Sequence, residues 1–102
     1  MAKLMNILIA DDNAINRKLL RATLEAEGHS VEEAADGQEV LALLETKLAD
    51  AIISDILMPR MDGFRLCSEL RRSERFREIP FIIYTSTYTS SAMKIGPPTR
   101  RR

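Results

Sequence analysis

Three aspartates stand where apolar runs stop. Asp11 and Asp12 follow Met5-Asn-Ile-Leu-Ile-Ala10, and Asp55 follows Ala51-Ile-Ile-Ser54. Each run is short, rich in Ile, Leu and Ala, and reads as a buried strand that delivers a carboxylate to the rim of a sheet. If the two strands are neighbours, three carboxylates converge at one edge. Uncompensated, they would repel one another and be driven toward protonation. A hard divalent cation resolves the conflict. Mg2+ takes oxygen ligands, usually one or two carboxylates plus waters, and it also neutralises an incoming phosphoryl group. A capping role would account for Asp55 or for Asp62 alone, but the whole set would need three unrelated caps at the same edge.

The elements that must hold these groups alternate along the chain. After Asp11, Asp12 and Asn13, a helical pattern runs from about Ala14 to Glu27 and stops at Gly28. Ser30 to Ala35 is a weaker strand, interrupted by Glu32 and Glu33, which suits a place near the sheet edge. Asp36-Gly37 is a turn. A second helix, Gln38 to Thr46, carries Val40, Leu41, Leu43 and Leu44 on one broad face. Asp55 opens a loop whose Pro59 and Gly63 favour turn geometry, and a third helix follows from Phe64 to about Arg72 with Phe64, Leu66, Cys67 and Leu70 as its apolar set. A basic-rich turn spans Arg71 to Arg77. Pro80 to Tyr84 is a fourth strand with proline at its first residue, where a missing donor does least harm, and Thr85 stands at its end. Apolar strands separated by helices predict an α/β fold, a doubly wound parallel sheet with helices on both faces. The carboxyl ends of such strands are where these folds place their ligands.

Asp11-Asp12, then Asp55-x-x-Met58-Pro59-x-Met61-Asp62-Gly63, then Thr85 after an apolar strand, resemble the receiver domain of two-component response regulators. The run Asp12-Asn-Ala-Ile-Asn-Arg17 is similar to receivers of hybrid sensor kinases. The resemblance covers residues 4 to about 86 and implies a flavodoxin-like strand order, 2-1-3-4. It implies that Asp55 is the phosphoacceptor, that Asp12, Asp55 and the main-chain carbonyl of Leu57 bind Mg2+, that Asp11 acts through water, and that Thr85 holds a phosphoryl oxygen. The chemistry implied is attack by a carboxylate nucleophile to form an acyl phosphate, driven by positioning and charge neutralisation. The donor would be a histidine kinase or phosphotransfer domain, engaging the first helix and the loops around Asp55. At most, this is Mg2+-dependent self-phosphorylation from phosphohistidine or small acyl phosphates. A general Mg2+-dependent phosphatase is disfavoured, since Leu57 stands where a second acidic residue would be expected.

The tail departs from that pattern. The family continues past Thr85 with a helix, a fifth strand ending in Lys-Pro and a last helix, and none is readable in residues 86–102. The expectation is therefore a receiver core over residues 1–86 that lacks the last βα units, and an atypical basic tail over 87–102. Lys94 comes nine residues after Thr85, whereas a βαβ crossover takes at least about 10–12, so it cannot take the family lysine's place by the family's route. The competing reading is a degenerate receiver, a protein-interaction module that keeps the sheet and metal site without switching. Loss of the outer strand leaves Pro80 to Tyr84 as an apolar edge, and Ile15, Leu19, Leu20 and Leu24 make an apolar arc on the first helix wider than one sheet contact needs. Both features predict a homodimer or larger assembly.

Composition sets the remaining bounds. The chain has 102 residues, 45% of them hydrophobic, enough for one domain with one core. The formal net charge of zero is a balance between residues 1–84, net −4, and residues 85–102, net +4. One cysteine, Cys67, excludes an internal disulfide and reads as core packing. No apolar stretch approaches the ~20 residues of a membrane span, and no leader pattern opens the chain, so a cytoplasmic, reducing compartment is expected. Arg100 to Arg102 without aromatic interleaving is a weak nucleic-acid signal. His29, with no charged partner nearby in sequence, reads as an exposed loop residue.

Overall fold

A computed structural model describes residues 3–85. The elements run in the expected alternation: β1 (Asn6–Ala10), α1 (Ala14–Ala26), β2 (Ser30–Ala34), α2 (Gly37–Thr46), β3 (Ala51–Asp55), α3 (Gly63–Arg71) and β4 (Phe81–Tyr84). All strand pairs are parallel, in the order β2-β1-β3-β4. Residues 86–102, and with them the expected tail and Lys94, lie outside the described residues.

Local chemistry sets the element ends. Asn13 caps α1 by accepting from the backbone N–H groups of Ile15 and Asn16 at 2.9 and 3.0 Å. Asp36, read from sequence as part of a turn, caps α2 by accepting from Glu39 N–H at 2.9 Å. The Glu39 side chain reaches back to Ala35 N–H at 2.7 Å, so the helix starts one residue earlier than expected. Asp62 caps α3 through Arg65 N–H at 2.8 Å. Gly28, after α1, adopts φ +97°, the left-handed geometry that makes glycine an efficient helix stop. Pro80 lies just before β4 rather than in it, yet its carbonyl already accepts from Ile52 N–H at 2.9 Å.

Strand alternation divides the core between the two faces of the sheet. On one face Leu8, Ala10 and Ile52 pack with Val40 and Leu44 of α2 and Leu66 and Leu70 of α3. Met58, Met61 and Phe76 complete that cluster. On the other face Ile7, Ile9 and Val31 pack with Leu20 and Leu24 of α1 and with Ile53. Truncating a fully buried side chain such as Leu44 or Leu66 would cost about 2–5 kcal/mol.

The second face is incompletely covered. No residue of α1 is fully buried, and Ile15 and Leu19 are 71% and 64% exposed. Ile82 pairs in register with Ile53, so it points to the same face, yet it is 54% exposed. Among the described residues, the apolar arc expected on the first helix is therefore exposed at Ile15 and Leu19, and β4 beside it pairs only with β3.

Four expectations change. Phe64, assigned to the apolar set of α3, is 61% exposed, because only Leu66 and Leu70 of that helix face the sheet. Cys67 is half-buried and outside both core clusters. The charged turn after α3 buries Phe76 in the core, with Arg75 stacked over the ring at 4.8 Å. His29 is half-buried, and its Nδ1 accepts from Met5 N–H at 3.0 Å. That bond lies beside the first rungs of the β1–β2 ladder, so the imidazole has a structural task.

Candidate metal centre

The parallel register brings the three aspartates together. Ala10 pairs with Ser54, so Asp11 and Asp55 leave adjacent strands side by side. One carboxylate oxygen from each of Asp11, Asp12 and Asp55 can be chosen so that all lie within 4.8 Å of one another. Asp11 and Asp55 are buried and Asp12 is exposed. Two enclosed carboxylates and one open to solvent suit a hard cation that keeps part of its water shell.

Asp11 is held from several sides. Its N–H donates to Ala34 O at 3.0 Å, and its Oδ1 accepts from Asn13 N–H at 2.9 Å. Arg17, one turn into α1, donates from Nη1 to the Asp11 carbonyl at 2.7 Å and from Nε to Glu33 at 3.0 Å. Arg21 Nη1 binds the other oxygen of Glu33 at 2.6 Å. The Arg21 guanidinium, and behind it that of Arg17, hold the Glu33 carboxyl below the usual range against the opposing effect of burial. This Glu33–Arg17 pair ties the end of β1 to β2 and α1.

The loop after Asp55 is clamped at both ends. Ile56 N–H donates to Tyr84 O and Gly63 N–H to Ile56 O, both at 2.8 Å. Arg60, at φ 65°, is ion-paired with buried Asp36, and the Met61 carbonyl accepts from Gly37 N–H at 3.3 Å. A non-glycine residue in the left-handed region is uncommon and costs energy that its surroundings must repay. With Met58 and Met61 buried and Leu57 turned to solvent, the Leu57 main chain is carried on a braced loop rather than a floppy one.

Tyr84 completes the pocket. Its hydroxyl donates to Asp11 Oδ2. Burial first, then that bond and the charges of Asp11, Asp55 and Asp12, push the phenol far above its ordinary range, so it stays a neutral donor. Its ring lines a groove of about 410 Å³ with Asn16, Leu19, Leu20, Thr23 and Thr85. Thr85 sits directly after Tyr84, whose partner in register is Asp55, at the same sheet edge.

Asp11, Asp12, Asp55 and Thr85 are thus gathered at one sheet edge, as their places at strand ends required, while Asp62 is a helix cap. Sequence reasoning assigned no role to Arg17 or Tyr84. The one signal for Tyr84 was a polar tip ending an otherwise apolar run.

A sequence profile of the response regulator receiver domain matches residues 7–96. The chain belongs to the response regulator receiver domain family. The match runs ten residues past the boundary near 86 expected from the motifs. Among curated relatives, a gliding motility regulatory protein of Myxococcus xanthus is 40% identical over 85 residues, 83% of this chain and 11% of that protein. A response regulator of Mycolicibacterium vanbaalenii is 38% identical over 92 residues, 90% of this chain and 39% of that protein. The chain therefore spans well under half the length of these relatives. Among solved structures, the receiver domain of a Syntrophus aciditrophicus histidine kinase aligns with a TM-score of 0.78 at 34% identity, covering 88% of this receiver and 68% of that chain. A Vibrio cholerae chemotaxis response regulator aligns at 0.77 and 32%, covering 92% and 78%. No helix of this receiver, among the described residues, is long and apolar enough to cross a membrane.

Proposed function

We propose that this receiver takes a phosphoryl group from a histidine kinase or phosphotransfer domain onto Asp55, with Mg2+ at the carboxylate cluster, in the cytoplasm. The observation that carries the reading is the convergence of Asp11, Asp12 and Asp55 within 4.8 Å at the carboxyl end of the sheet. Asp12, Asp55 and the Leu57 carbonyl would hold the ion, and Asp11 would act through a water molecule. The ion would offset the charge of the incoming phosphoryl group.

The residues of the chain supply the rest. A carboxylate oxygen of Asp55 attacks phosphorus, the P–N bond to the donor imidazole breaks, and its electron pair stays on the imidazole nitrogen. The Thr85 hydroxyl donates to a phosphoryl oxygen. Braced backbone on either side of Asp55 keeps the nucleophile aligned, and alignment is where much of the acceleration of such a transfer comes from. The activity is self-modification from phosphohistidine or a small acyl phosphate, not turnover of a free substrate. Lys94 stands nine residues after Thr85, fewer than the family's route to its lysine takes, so transfer is expected to be slow.

Mass spectrometry after incubation with acetyl phosphate and Mg2+ tests this reading. One added phosphoryl group, lost in Asp55→Asn, supports it. An unlabelled chain that nevertheless binds Mg2+ would favour the second reading, a non-switching interaction module with its core over residues 1–86. The exposed apolar surface beside β4 favours such a module in one respect. Ile82, Leu19 and Ile15 present apolar surface beside an edge strand that pairs, among the described residues, only with β3. A second copy adding its own β4 at that edge would cover it.

A further inference from the structure

We propose that the Tyr84 hydroxyl is the internal counter-donor of the carboxylate pocket, that a divalent cation displaces it from Asp11, and that this competition sets the metal affinity of the site. The inference rests on the metal-centre reading above and goes beyond it.

Asp11 is fully buried, so bulk solvent does not reach its carboxylate. Among the described residues, the ion pairs include neither Asp11 nor Asp12. Arg17 binds the Asp11 main-chain carbonyl instead. Charge compensation at the Asp11 carboxylate comes from two neutral donors, Asn13 N–H on Oδ1 and Tyr84 O–H on Oδ2. A buried charge without such donors is costly, so Tyr84 supplies part of the compensation that the Asp11 carboxylate requires.

The two compensations compete. With Asp12 and Asp55 holding the cation and Asp11 reached through one of its waters, that water and the Tyr84 hydroxyl would be rival donors to the Asp11 carboxylate. Asn13 cannot yield, because its N–H sits at the start of α1. Tyr84 can, because its ring borders the groove formed with Leu19, Leu20 and Thr23, which offers space on the solvent side. Cation binding would therefore turn the ring away from Asp11 and toward α1, linking occupancy of the pocket to the shape of that groove.

The full chain contains no tryptophan and two tyrosines, Tyr84 and Tyr88, so Tyr88→Phe leaves Tyr84 as the only strong emitter. A phenol bonded to a carboxylate is quenched, and a released one is brighter. On titration with Mg2+, Tyr84 emission should rise with the same midpoint that calorimetry gives for binding. Tyr84→Phe, which keeps the ring, should bind Mg2+ roughly tenfold more tightly, since the metal no longer displaces a hydrogen bond to a charged group. Emission unchanged at saturation, or an affinity in Tyr84→Phe equal to or weaker than that of the parent, would overturn the proposal while leaving the metal centre standing. Absence of Mg2+ binding in both proteins would remove the metal centre and this inference together.

Discussion

A β-carbon built on Gly63 would lie 2.4 Å from the carbonyl oxygen of Asp55. The first residue of α3 is thus pressed against the backbone of Asp55, with Gly63 N–H closing on Ile56 O. Both atoms are main chain, so neither can swing aside. Gly63→Ala should cost about 1–3 kcal/mol or more in urea unfolding and weaken Mg2+ binding, because relief requires Asp55 to move. Gly28→Ala is the control. It strains a left-handed residue for about 1 kcal/mol and should leave metal affinity alone. Equal effects of the two on affinity would show that the contact does not position Asp55.

Asp12 differs from its two neighbours in being exposed. Asp12→Ala should therefore abolish Mg2+ binding in calorimetry while leaving unfolding stability within about 0.5 kcal/mol, or raising it, since one like charge leaves the cluster. An affinity indistinguishable from that of the parent would mean that the ion sits elsewhere.

Glu33 gives the acid limb a sign. The Arg21 guanidinium first, and Arg17 with it, hold its pKa below the ordinary value of 4.5. A lowered carboxyl contributes stability that is present above the unfolded-state pKa and is lost as pH falls through the folded-state value. Glu33→Gln should accordingly lose under about 1 kcal/mol at neutral pH, as partly exposed pairs do, and its stability should fall less steeply than the parent's below pH 4.5. Parallel acid limbs in denaturant melts at several pH values would contradict the assignment.

The edge that β4 presents among the described residues, with Ile82 exposed on it, predicts concentration-dependent assembly. Light scattering over a dilution series should show a dimer or larger species, and Ile82→Lys should shift it to monomer, because a charge at the centre of the edge strand opposes pairing. A compact monomer at every concentration in the parent would mean that this apolar surface is covered within one chain.

The strand ends and the aspartates on them were legible in the sequence because buried parallel strands announce themselves as continuous apolar runs. A carboxylate stepping out of such a run has few other reasons to be there. Gly28 as a stop and the broad apolar face of α2 with Val40, Leu41, Leu43 and Leu44 followed from equally local rules of φ and of helical period, and packing then buried Val40 and Leu44 most deeply. Phe64 and His29 mark the limit of those rules. Phe64 has the right type for a core position but sits on α3 at an angle that the sheet does not reach, and His29 finds its partner at Met5, 24 residues away.

The compensation of the pocket was a tertiary matter. That Arg17 spends its guanidinium on Glu33 and a main-chain carbonyl, while the neutral hydroxyl of Tyr84 meets buried Asp11 across 73 residues of sequence, depends on β4 lying beside β3 and on the angle of α1 over β2. Sequence determined which groups stand at the sheet edge, because strand length and polarity are local properties. Only packing decided which donor faces which carboxylate, because a hydrogen bond needs its partners within about 3 Å, and no spacing along a chain specifies a distance across a sheet.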